Sequence, residues 1–294
     1  MGAATRYLLF TIGLLMTASS FAQAQPAWQN VPEGQLILRP FKNAPYPHSS
    51  REHGFKDFPR EPHYTDSTVG IFIPAGYRAG DAVDYVVHFH GHKNHVSKVF
   101  EHYQLPQQLV RSKVNAILIV PQGPKDAADS ACGKLELDPG GFEKLIAEVT
   151  DFLNAERKLH TRRIGHIALS AHSGGYKVTA AILDHGGLGD HITDALLLDA
   201  SYGNLDWFAN WSKAAPSHRL VSLFTDHIAD RNRELMTLLD KAAVKYRKLD
   251  EPSLKDDDLL PRGPVFMHTK GPHDQVPLDY FGRLLKTSAL PSQE

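Results

Sequence analysis

The chain has 294 residues, enough for one or two domains, and its 42% hydrophobic and 22% charged residues are ordinary for a globular protein. Its formal net charge of -1 provides no positive field for a nucleic-acid backbone, so we expect no nucleic-acid partner. The single cysteine, Cys132, excludes an internal disulfide framework and a zinc site of several cysteines, whereas the 17 histidines raise the question of a metal site.

Residues 1–24 predict an export signal. Arg6 supplies a positive start, residues 7–16 form an apolar run, and Ala22-Gln23-Ala24 is a small-x-small cleavage pattern. The apolar run is too short to remain as a bilayer-spanning anchor. We therefore expect cleavage after Ala24, a periplasmic or secreted protein, and no membrane span in the mature chain.

Residues 25–67 are rich in proline, histidine and charge, and they predict a segment that wraps the surface, with one weak strand at 35–38. Residues 68–294 predict a single catalytic domain in which buried strands alternate with helices. The continuous apolar strands indicate an α/β fold, a mostly parallel sheet with helices on both faces. The predicted strands are 69–73, 85–89, 116–120, 164–170, 195–198, 220–224 and 265–268, and the predicted helices are 99–110, 141–157, 174–183, 207–214, 231–248 and 278–286.

A nucleophile elbow is predicted where the strand at 164–170 runs into a turn and then a helix. The turn follows a small-x-Ser-x-Gly pattern centred on Ser173, with Ala171 where glycine is usual. Such a turn exposes the serine hydroxyl at a helix N-terminus, where the helix dipole and the Gly174 N–H can stabilise negative charge. We therefore predict Ser173 as a nucleophile, although a Ser-Gly-Gly turn can also serve only to start a helix.

The strand at 85–89 ends in a second candidate feature, the sequence His90-Gly91-His92. A hydrolase built on the elbow needs another backbone donor from the loop after this strand. Gly91 lets the backbone approach a substrate closely, because glycine has no side chain. The predicted oxyanion hole therefore combines Gly91 and the N–H near His92 with Gly174.

A general base and an acid to orient it are predicted from three further strand ends. His273 lies in the loop between the last strand and the last helix, and it has more freedom than its competitor His268, which lies within the strand. The acid should fall between Ser173 and His273. We favour Asp199 because it follows its strand directly, but Asp226 remains open, and either aspartate can instead be a simple helix N-cap.

Taken together, the order and placement of these motifs resemble the α/β-hydrolase superfamily over roughly residues 69–285. The resemblance implies a central sheet of about eight strands, a Ser-His-acid triad and an acyl-enzyme route without a cofactor. We expect an exported serine hydrolase acting on small-molecule or polymer-end substrates, with carboxylesterase as the default. A peptidase or amidase of cell-envelope material is an alternative, and so is a non-catalytic binding protein that keeps the fold.

The histidine cluster His88, His90, His92 and His95 offers a different reading, a metal-dependent hydrolase. The cluster lacks the H-E-x-x-H pattern and has no acidic residue between its members. We therefore expect no catalytic metal and keep this class as an alternative.

Four residues are predicted to line the substrate site. Lys134 would contact an anionic group, or belong to a plain surface loop, and Trp207 would form part of an aromatic lid, or pack its own helix. The two others flank the predicted oxyanion loop and nucleophile. The full set is His90, His172, Lys134 and Trp207.

Overall fold

A computed structural model describes Met1 and residues 26–293 of the chain. Apart from Met1, the predicted export signal falls on residues that lie outside this description. One sheet of ten strands runs through the described part, in the order β1-β2-β3-β5-β4-β6-β7-β8-β10-β9. The strands are β1 Gln29–Val31, β2 Gly34–Pro40, β3 Thr68–Pro74, β4 Val83–Phe89, β5 Ile117–Pro121, β6 Ile164–His172, β7 Ile192–Leu198, β8 Arg219–Phe224, β9 Arg247–Asp250 and β10 Val265–His268.

Helices cover both faces of this sheet. Within residues 26–293 they are α1 Arg60–His63, α2 Val96–His102, α3 Leu105–Ser112, α4 Gly133–Leu137, α5 Gly141–Ala155, α6 Tyr176–His185, α7 Leu205–Ala214, α8 Ala229–Lys241 and α9 Val276–Lys286. None of the helices in that part is both long and apolar enough to cross a membrane.

The sheet is parallel from β5 through β4, β6, β7, β8 and β10 to β9, and antiparallel among β1, β2, β3 and β5. Every residue of β4 is buried, since alternate side chains enter the cores on opposite faces. Tyr85 and Val87 belong to one core, and Val86 to the other. The fold class predicted from the continuous apolar strands is therefore confirmed.

Two predicted helices differ from the structure, one because it is divided and the other because it ends early. The predicted helix 99–110 is divided into α2 and α3 at Gln104, whose φ of 49° lies in the left-handed region. The predicted helix 231–248 ends at Lys241, shortly before Ala243 with a φ of 56°, and the chain then enters the edge strand β9. Both breaks occur at non-glycine residues with no local sequence signal for positive φ.

Residues 26–67 do more than wrap the surface, which corrects the expectation for the segment 25–67. Its strands β1 and β2 extend the sheet, with β2 paired along β3. Phe41, Tyr46 and Tyr64 from the same segment are buried, at 4%, 0% and 1% exposure. The segment is therefore an integral part of the folded unit.

The carboxyl ends of β4, β6, β7, β8 and β10 all reach one edge of the sheet, because these strands run parallel. Loops at this edge carry the motifs that the sequence singles out, as expected for ligand sites of open α/β sheets.

Candidate active site

The loop after β6 has the geometry of a nucleophile elbow. Strand β6 ends at His172, a short turn spans Ser173–Gly175, and α6 follows at once. Ser173 has a φ of 52°, a strained backbone conformation for a serine. A Cβ on Gly175 would lie 2.5 Å from the carbonyl oxygen of Phe89, so this flank of the turn tolerates only glycine.

His273 and Asp199 are joined by a hydrogen bond, although they lie on loops after different strands. The distance between His273 Nδ1 and Asp199 Oδ2 is 2.5 Å. Asp199 is fully buried, and its carboxylate also accepts bonds from the Thr225 N–H at 2.8 Å and the Thr225 hydroxyl at 2.9 Å. Burial acts to raise the pKa of Asp199, but the bonds from His273 and Thr225 outweigh it and hold that pKa below its usual range. Asp199 is therefore an ionised acceptor behind His273.

The rival aspartate is placed elsewhere. The side chain of Asp226 is 88% exposed and pairs with His268, whose Nε2 lies 2.7 Å from its Oδ1. The competing base and the competing acid of the sequence thus contact each other at the surface. Neither of them joins His273 and Asp199.

The Ser173 hydroxyl has no hydrogen bond to His273 within the part of the chain that the structure describes. Triad hydrogen bonds are often long before substrate binds and tighten in the complex. Ser173 and His273 therefore remain candidate partners, although no hydrogen bond joins their side chains here.

The loop after β4 lies against Ser173, the predicted nucleophile, as expected of the predicted oxyanion loop. A Cβ on Gly91 would lie 2.6 Å from the Cβ of Ser173, so glycine is required for this approach. A Cβ on Gly174 would lie 2.7 Å from His92 Cδ2, so the His92 ring covers the start of the nucleophile's helix. These contacts bring Gly91, His92 and Gly174 together around Ser173.

His90 shapes this loop and does not line the substrate site, which corrects its predicted role. Its Nδ1 lies 2.8 Å from the carbonyl oxygen of Gly91, and its Nε2 accepts the Gly123 N–H at 3.0 Å. Burial lowers the pKa of His90, although its bond to Gly91 acts in the opposite direction. A neutral ring with Nδ1–H donating to Gly91 satisfies both contacts.

His172 also acts behind the site rather than on its surface. The ring is 1% exposed, accepts from the Tyr103 hydroxyl at Nδ1 (3.1 Å), and donates from Nε2 to the His273 carbonyl oxygen (3.3 Å). Burial first, and then the neighbouring His273, lower the pKa of His172 well below its ordinary value. His172 is therefore a neutral support for the loop that carries His273, not a substrate contact.

The two remaining predicted substrate contacts are away from Ser173. Lys134 Nζ donates to the carbonyl oxygen of Lys42 at 2.8 Å. Trp207 packs edge-on against His185, with ring centroids 5.7 Å apart. His185 ends α6, whereas Ser173 precedes its start, so about 15 Å of helix separates them. The alternatives of a surface loop for Lys134 and helix packing for Trp207 describe these side chains better.

The cluster from His88 to His95 does not converge on a shared point. His88 bonds to the Ser170 hydroxyl at 3.0 Å, His92 Nε2 to the Ser130 hydroxyl at 2.8 Å, and His95 to Asp126 at 2.9 Å. Burial lowers the pKa of His88 to about 3. Among the described residues, two sets of side chains have ligand atoms close enough to share a metal ion, and neither set includes a histidine of this cluster. One set is His172, His273 and Asp274, and the other is Asp199, His227 and His273.

The sequence analysis did not predict three residues that lie near Asp199 in the structure: Thr225, His227 and Tyr202. Thr225 directly follows β8 and bonds to Asp199, and His227 contacts both Thr225 and Tyr202 at 2.5 Å. Their one sequence signal is position, since Tyr202 lies in the loop of Asp199 and Thr225 at the end of the next strand. No local motif marks their contacts, because those contacts join two loops.

Similar proteins are found by comparison of structures and not by comparison of sequences. No protein-family model matches this chain, and no curated protein matches its sequence. The feruloyl esterase module of Clostridium thermocellum has a TM-score of 0.53 at 13% identity, covering 90% of this chain and 93% of its own. An S-formylglutathione hydrolase from Agrobacterium tumefaciens has a TM-score of 0.53 at 10% identity, covering 89% and 97%.

A third similar structure is that of FphF, a fluorophosphonate-binding serine hydrolase of Staphylococcus aureus. Its TM-score is 0.50 at 12% identity, and the match covers 86% of this chain and 97% of that one. At such low identity these likenesses concern the fold. The chain has the α/β-hydrolase fold that the sequence resemblance implies. The sheet of its described residues has ten strands rather than about eight.

Proposed function

We propose that this protein is an exported serine hydrolase that cleaves carboxylic esters through an acyl-enzyme intermediate. One observation carries the proposal: the buried Asp199 carboxylate bonds to His273 at 2.5 Å, on the edge of the sheet where Ser173 stands in a strained turn against Gly91. A buried acid, a histidine and a serine on an elbow have the geometry of acyl transfer. The esterases and serine hydrolases of the same fold support it.

In the proposed first step, substrate binding turns the Ser173 hydroxyl toward His273. The oxygen attacks the ester carbonyl while the Nε2 atom of His273 takes the hydroxyl proton, and the carbonyl oxygen becomes negatively charged. The carbonyl then re-forms, the bond to the alcohol breaks, and His273 returns the proton to the leaving alcohol. Water repeats the sequence on the acyl-enzyme and releases the acid.

Asp199 and the loop at Gly91 stabilise the charges that develop. Asp199 holds Nδ1–H of His273, which fixes the tautomer and stabilises the imidazolium. The N–H groups of Gly174 and His92 are the proposed donors to the oxyanion, and His90 holds the Gly91 carbonyl in the turn that presents them. No cofactor takes part in this route.

We favour esters over amides as substrates because two similar structures with TM-scores of 0.53 are, by name, a feruloyl esterase and an S-formylglutathione hydrolase. Export rests on residues 1–24, whose sequence matches a cleavable signal. We expect the mature chain to begin at residue 25. Expression of the full chain in a bacterium, followed by mass measurement of the periplasmic and cytoplasmic fractions, tests that part directly.

The catalytic proposal is tested by hydrolysis of short p-nitrophenyl esters. Ser173→Ala should abolish activity, and the matched control Ser217→Ala, at an exposed serine, should retain it. Activity should also survive dialysis against a chelator. Loss of activity to the chelator together with an active Ser173→Ala variant would instead favour the metal-dependent hydrolase. Inactivity of the parent protein on a broad ester panel would favour a binding protein.

A further inference from the structure

Two histidine rings face one buried carboxylate beside the proposed base. His273 Nδ1 lies 2.5 Å from Asp199 Oδ2, and His227 Nδ1 lies 3.7 Å from the same oxygen. The centroids of the two rings are 5.3 Å apart. One ligand atom from each of the three side chains lies within 4.8 Å of the other two. Two imidazoles and a carboxylate at this spacing form a set of ligands that zinc accepts.

Asp199 is the fixed member of this set. Its side chain is fully buried, and its Oδ1 accepts the Thr225 N–H at 2.8 Å. Burial acts to raise the pKa of Asp199, but the bonds from His273 and Thr225 outweigh it, so the carboxylate is negatively charged at neutral pH. A cation at Oδ2 therefore meets a charge that the protein already holds in position.

The two rings are the adjustable members, and they are open to solvent. The side chain of His227 is 48% exposed and that of His273 is 31% exposed, and each stands in a short helical turn after its strand. The ligands of tetrahedral zinc lie about 3.3 Å apart, because each bond to the metal is about 2 Å long. The contact of His273 with Asp199 must therefore lengthen and that of His227 must shorten, each by less than about 1 Å.

The second nitrogen of His227 has the partner that a zinc-bound imidazole needs. Its Nε2 lies 2.5 Å from the Tyr202 hydroxyl. A ring that binds zinc through Nδ1 carries its proton on Nε2, and this N–H can donate to Tyr202. Zinc displaces one bond, that between His227 Nδ1 and the Thr225 hydroxyl at 2.5 Å, while this hydroxyl keeps its bond to Asp199 at 2.9 Å.

The other set of side chains with ligand spacing also contains His273, but it is less suited to a metal. Its members are His172, His273 and Asp274. His172 is 1% exposed and both its ring nitrogens are in use, Nδ1 with the Tyr103 hydroxyl at 3.1 Å and Nε2 with the His273 carbonyl oxygen at 3.3 Å. A metal there would have to break one of these buried bonds, so the set around Asp199 is the better site.

We propose that Asp199, His227 and His273 bind a zinc ion that inhibits the enzyme, an inference that rests on the proposed serine hydrolase function. Zinc takes the lone pair of His273 Nδ1, so the proton of that ring moves to Nε2, which can then no longer accept the Ser173 proton. The ion also replaces the bond to Asp199 that orients the ring. Each neutral ring keeps one proton, so binding releases none, and water fills the fourth position on the ion.

Binding is tested apart from catalysis by calorimetric titration of zinc into the Ser173→Ala protein, prepared without a histidine tag. We expect one ion per chain, and magnesium, which prefers oxygen ligands, should not compete. Adding His227→Gln should weaken zinc binding by at least about 10-fold, since loss of even an outer partner of a metal ligand costs about 10–100-fold. Asp274→Asn and His160→Gln are the matched controls and should leave the affinity unchanged. His160 is exposed and precedes β6, at the edge of the sheet opposite the site.

Inhibition is tested in the parent protein by hydrolysis of a p-nitrophenyl ester. Zinc should inhibit, a chelator should restore the rate, and magnesium should have no effect. His227→Gln should raise the zinc concentration for half-inhibition by at least about 10-fold, with each protein compared with its own zinc-free rate. A parent protein that is saturated with zinc and keeps its full activity would overturn the inhibitory role.

The site itself is overturned if zinc does not bind to Ser173→Ala, or if it binds equally well after His227→Gln is added. Loss of binding in Asp274→Asn but not in His227→Gln would place the ion in the other set and would also overturn it. Thermal unfolding establishes that each variant is folded, and His227→Asn replaces His227→Gln if that protein unfolds. A parent protein that binds zinc through His227 but hydrolyses no ester contradicts the proposed function, and with it the inhibition, while the metal site stands. The two failures are therefore distinct.

Discussion

At the scale of single residues, the site depends on one buried carboxylate. Asp199 accepts from His273 and twice from Thr225, and its φ of 51° directs it away from the line of β7. Positive φ at an aspartate is uncommon and is tolerated where local hydrogen bonds hold it. The strain at Asp199, like that at Ser173, is found where the chemistry is proposed.

Replacing each candidate acid by asparagine should separate them. Asp199→Asn should lower kcat by about 10⁴, because the amide no longer fixes the reactive tautomer of His273. Asp226→Asn should change kcat by a few-fold at most, since that side chain is 88% exposed and bonds to His268. Steady-state kinetics on one p-nitrophenyl ester provides the comparison. Equal and small losses in the two variants would reject both assignments.

Gly91 lies so close to Ser173 that even a methyl side chain there should disturb the site. In Gly91→Ala the new Cβ would stand 2.6 Å from the Cβ of Ser173, so the loop or the serine must shift. Misplacement on the order of 1 Å costs about 10²-fold in rate, and we expect that loss in kcat. Gly189→Ala is the matched control, because its Cβ meets no atom within 4 Å. Unchanged kcat in Gly91→Ala would contradict the proposed oxyanion loop.

The sequence predicted a shared site for residues whose position at the end of a strand can be seen from the sequence itself. Ser173, Asp199 and His273 each follow an apolar run, and parallel strands deliver their ends to one edge. The direction of a side chain from its loop is not visible in this way. His90 and His172 therefore could not be recognised as buried supports, and the bond between Tyr202 and His227 joins two different loops.

At the scale of secondary-structure elements, a buried ion cluster fastens β7, β8 and α9 beneath the site. Arg219 in β8 is fully buried, donates from Nε to Asp194 of β7 at 2.6 Å, and binds the Leu284 and Thr287 carbonyl oxygens of α9 and its end. Burial acts to raise the pKa of Asp194, but Arg219 and Arg262 outweigh it and lower that pKa. The strands that carry Asp199 and Thr225 are joined by this cluster.

Asp194→Ala should lower the free energy of unfolding by about 3–5 kcal/mol, the usual cost of leaving one partner of a buried pair unpaired. Urea denaturation at neutral pH measures the difference. Because the folded pKa of Asp194 is below its unfolded value, its stabilisation is present above the ordinary aspartate range and is lost as the pH falls through the folded pKa. The gap between the parent and the variant should therefore narrow in acid. A gap below about 1 kcal/mol would contradict a structural role for the pair.

Element boundaries also show where sequence patterns fail. Hydrophobic spacing continues past Gln104 and Lys241, but the backbone turns into the left-handed region at Gln104 and Ala243. Strand β9 is short, half-exposed and made of Arg247-Lys248-Leu249-Asp250, so it lacks the apolar run that marks the central strands. Its pairing with β10 is a tertiary contact, which no local propensity reports.

At the scale of the whole molecule, the N-terminal segment supports the site from a distance. Arg51 Nε bonds to Asp129 at 2.7 Å, and the Tyr64 hydroxyl bonds to the same carboxylate at 3.2 Å. The next residue, Ser130, holds His92 Nε2 at 2.8 Å. The segment before β3 is thus linked through Asp129 and Ser130 to the ring that covers the nucleophile's helix.

A chain that begins at residue 68 should therefore not fold cooperatively. It lacks β1, β2 and the buried Ile37, Phe41, Tyr46 and Tyr64. At about 1.5–3 kcal/mol for each large apolar side chain, this burial rivals the whole stability of a domain. Thermal unfolding followed by circular dichroism compares it with a chain that begins at residue 26. Cooperative unfolding within a few degrees of the longer chain would contradict an integral N-terminal segment.

The most direct test of the account is to locate the reactive serine. The parent protein and its Ser173→Ala variant are treated with a fluorophosphonate, digested and mapped by mass spectrometry, with Ser217→Ala as the control. We predict a single adduct on the peptide that contains Ser173, its absence in Ser173→Ala and its full retention in Ser217→Ala. An adduct on another residue, or an unlabelled parent protein that still hydrolyses esters, would contradict the proposed nucleophile.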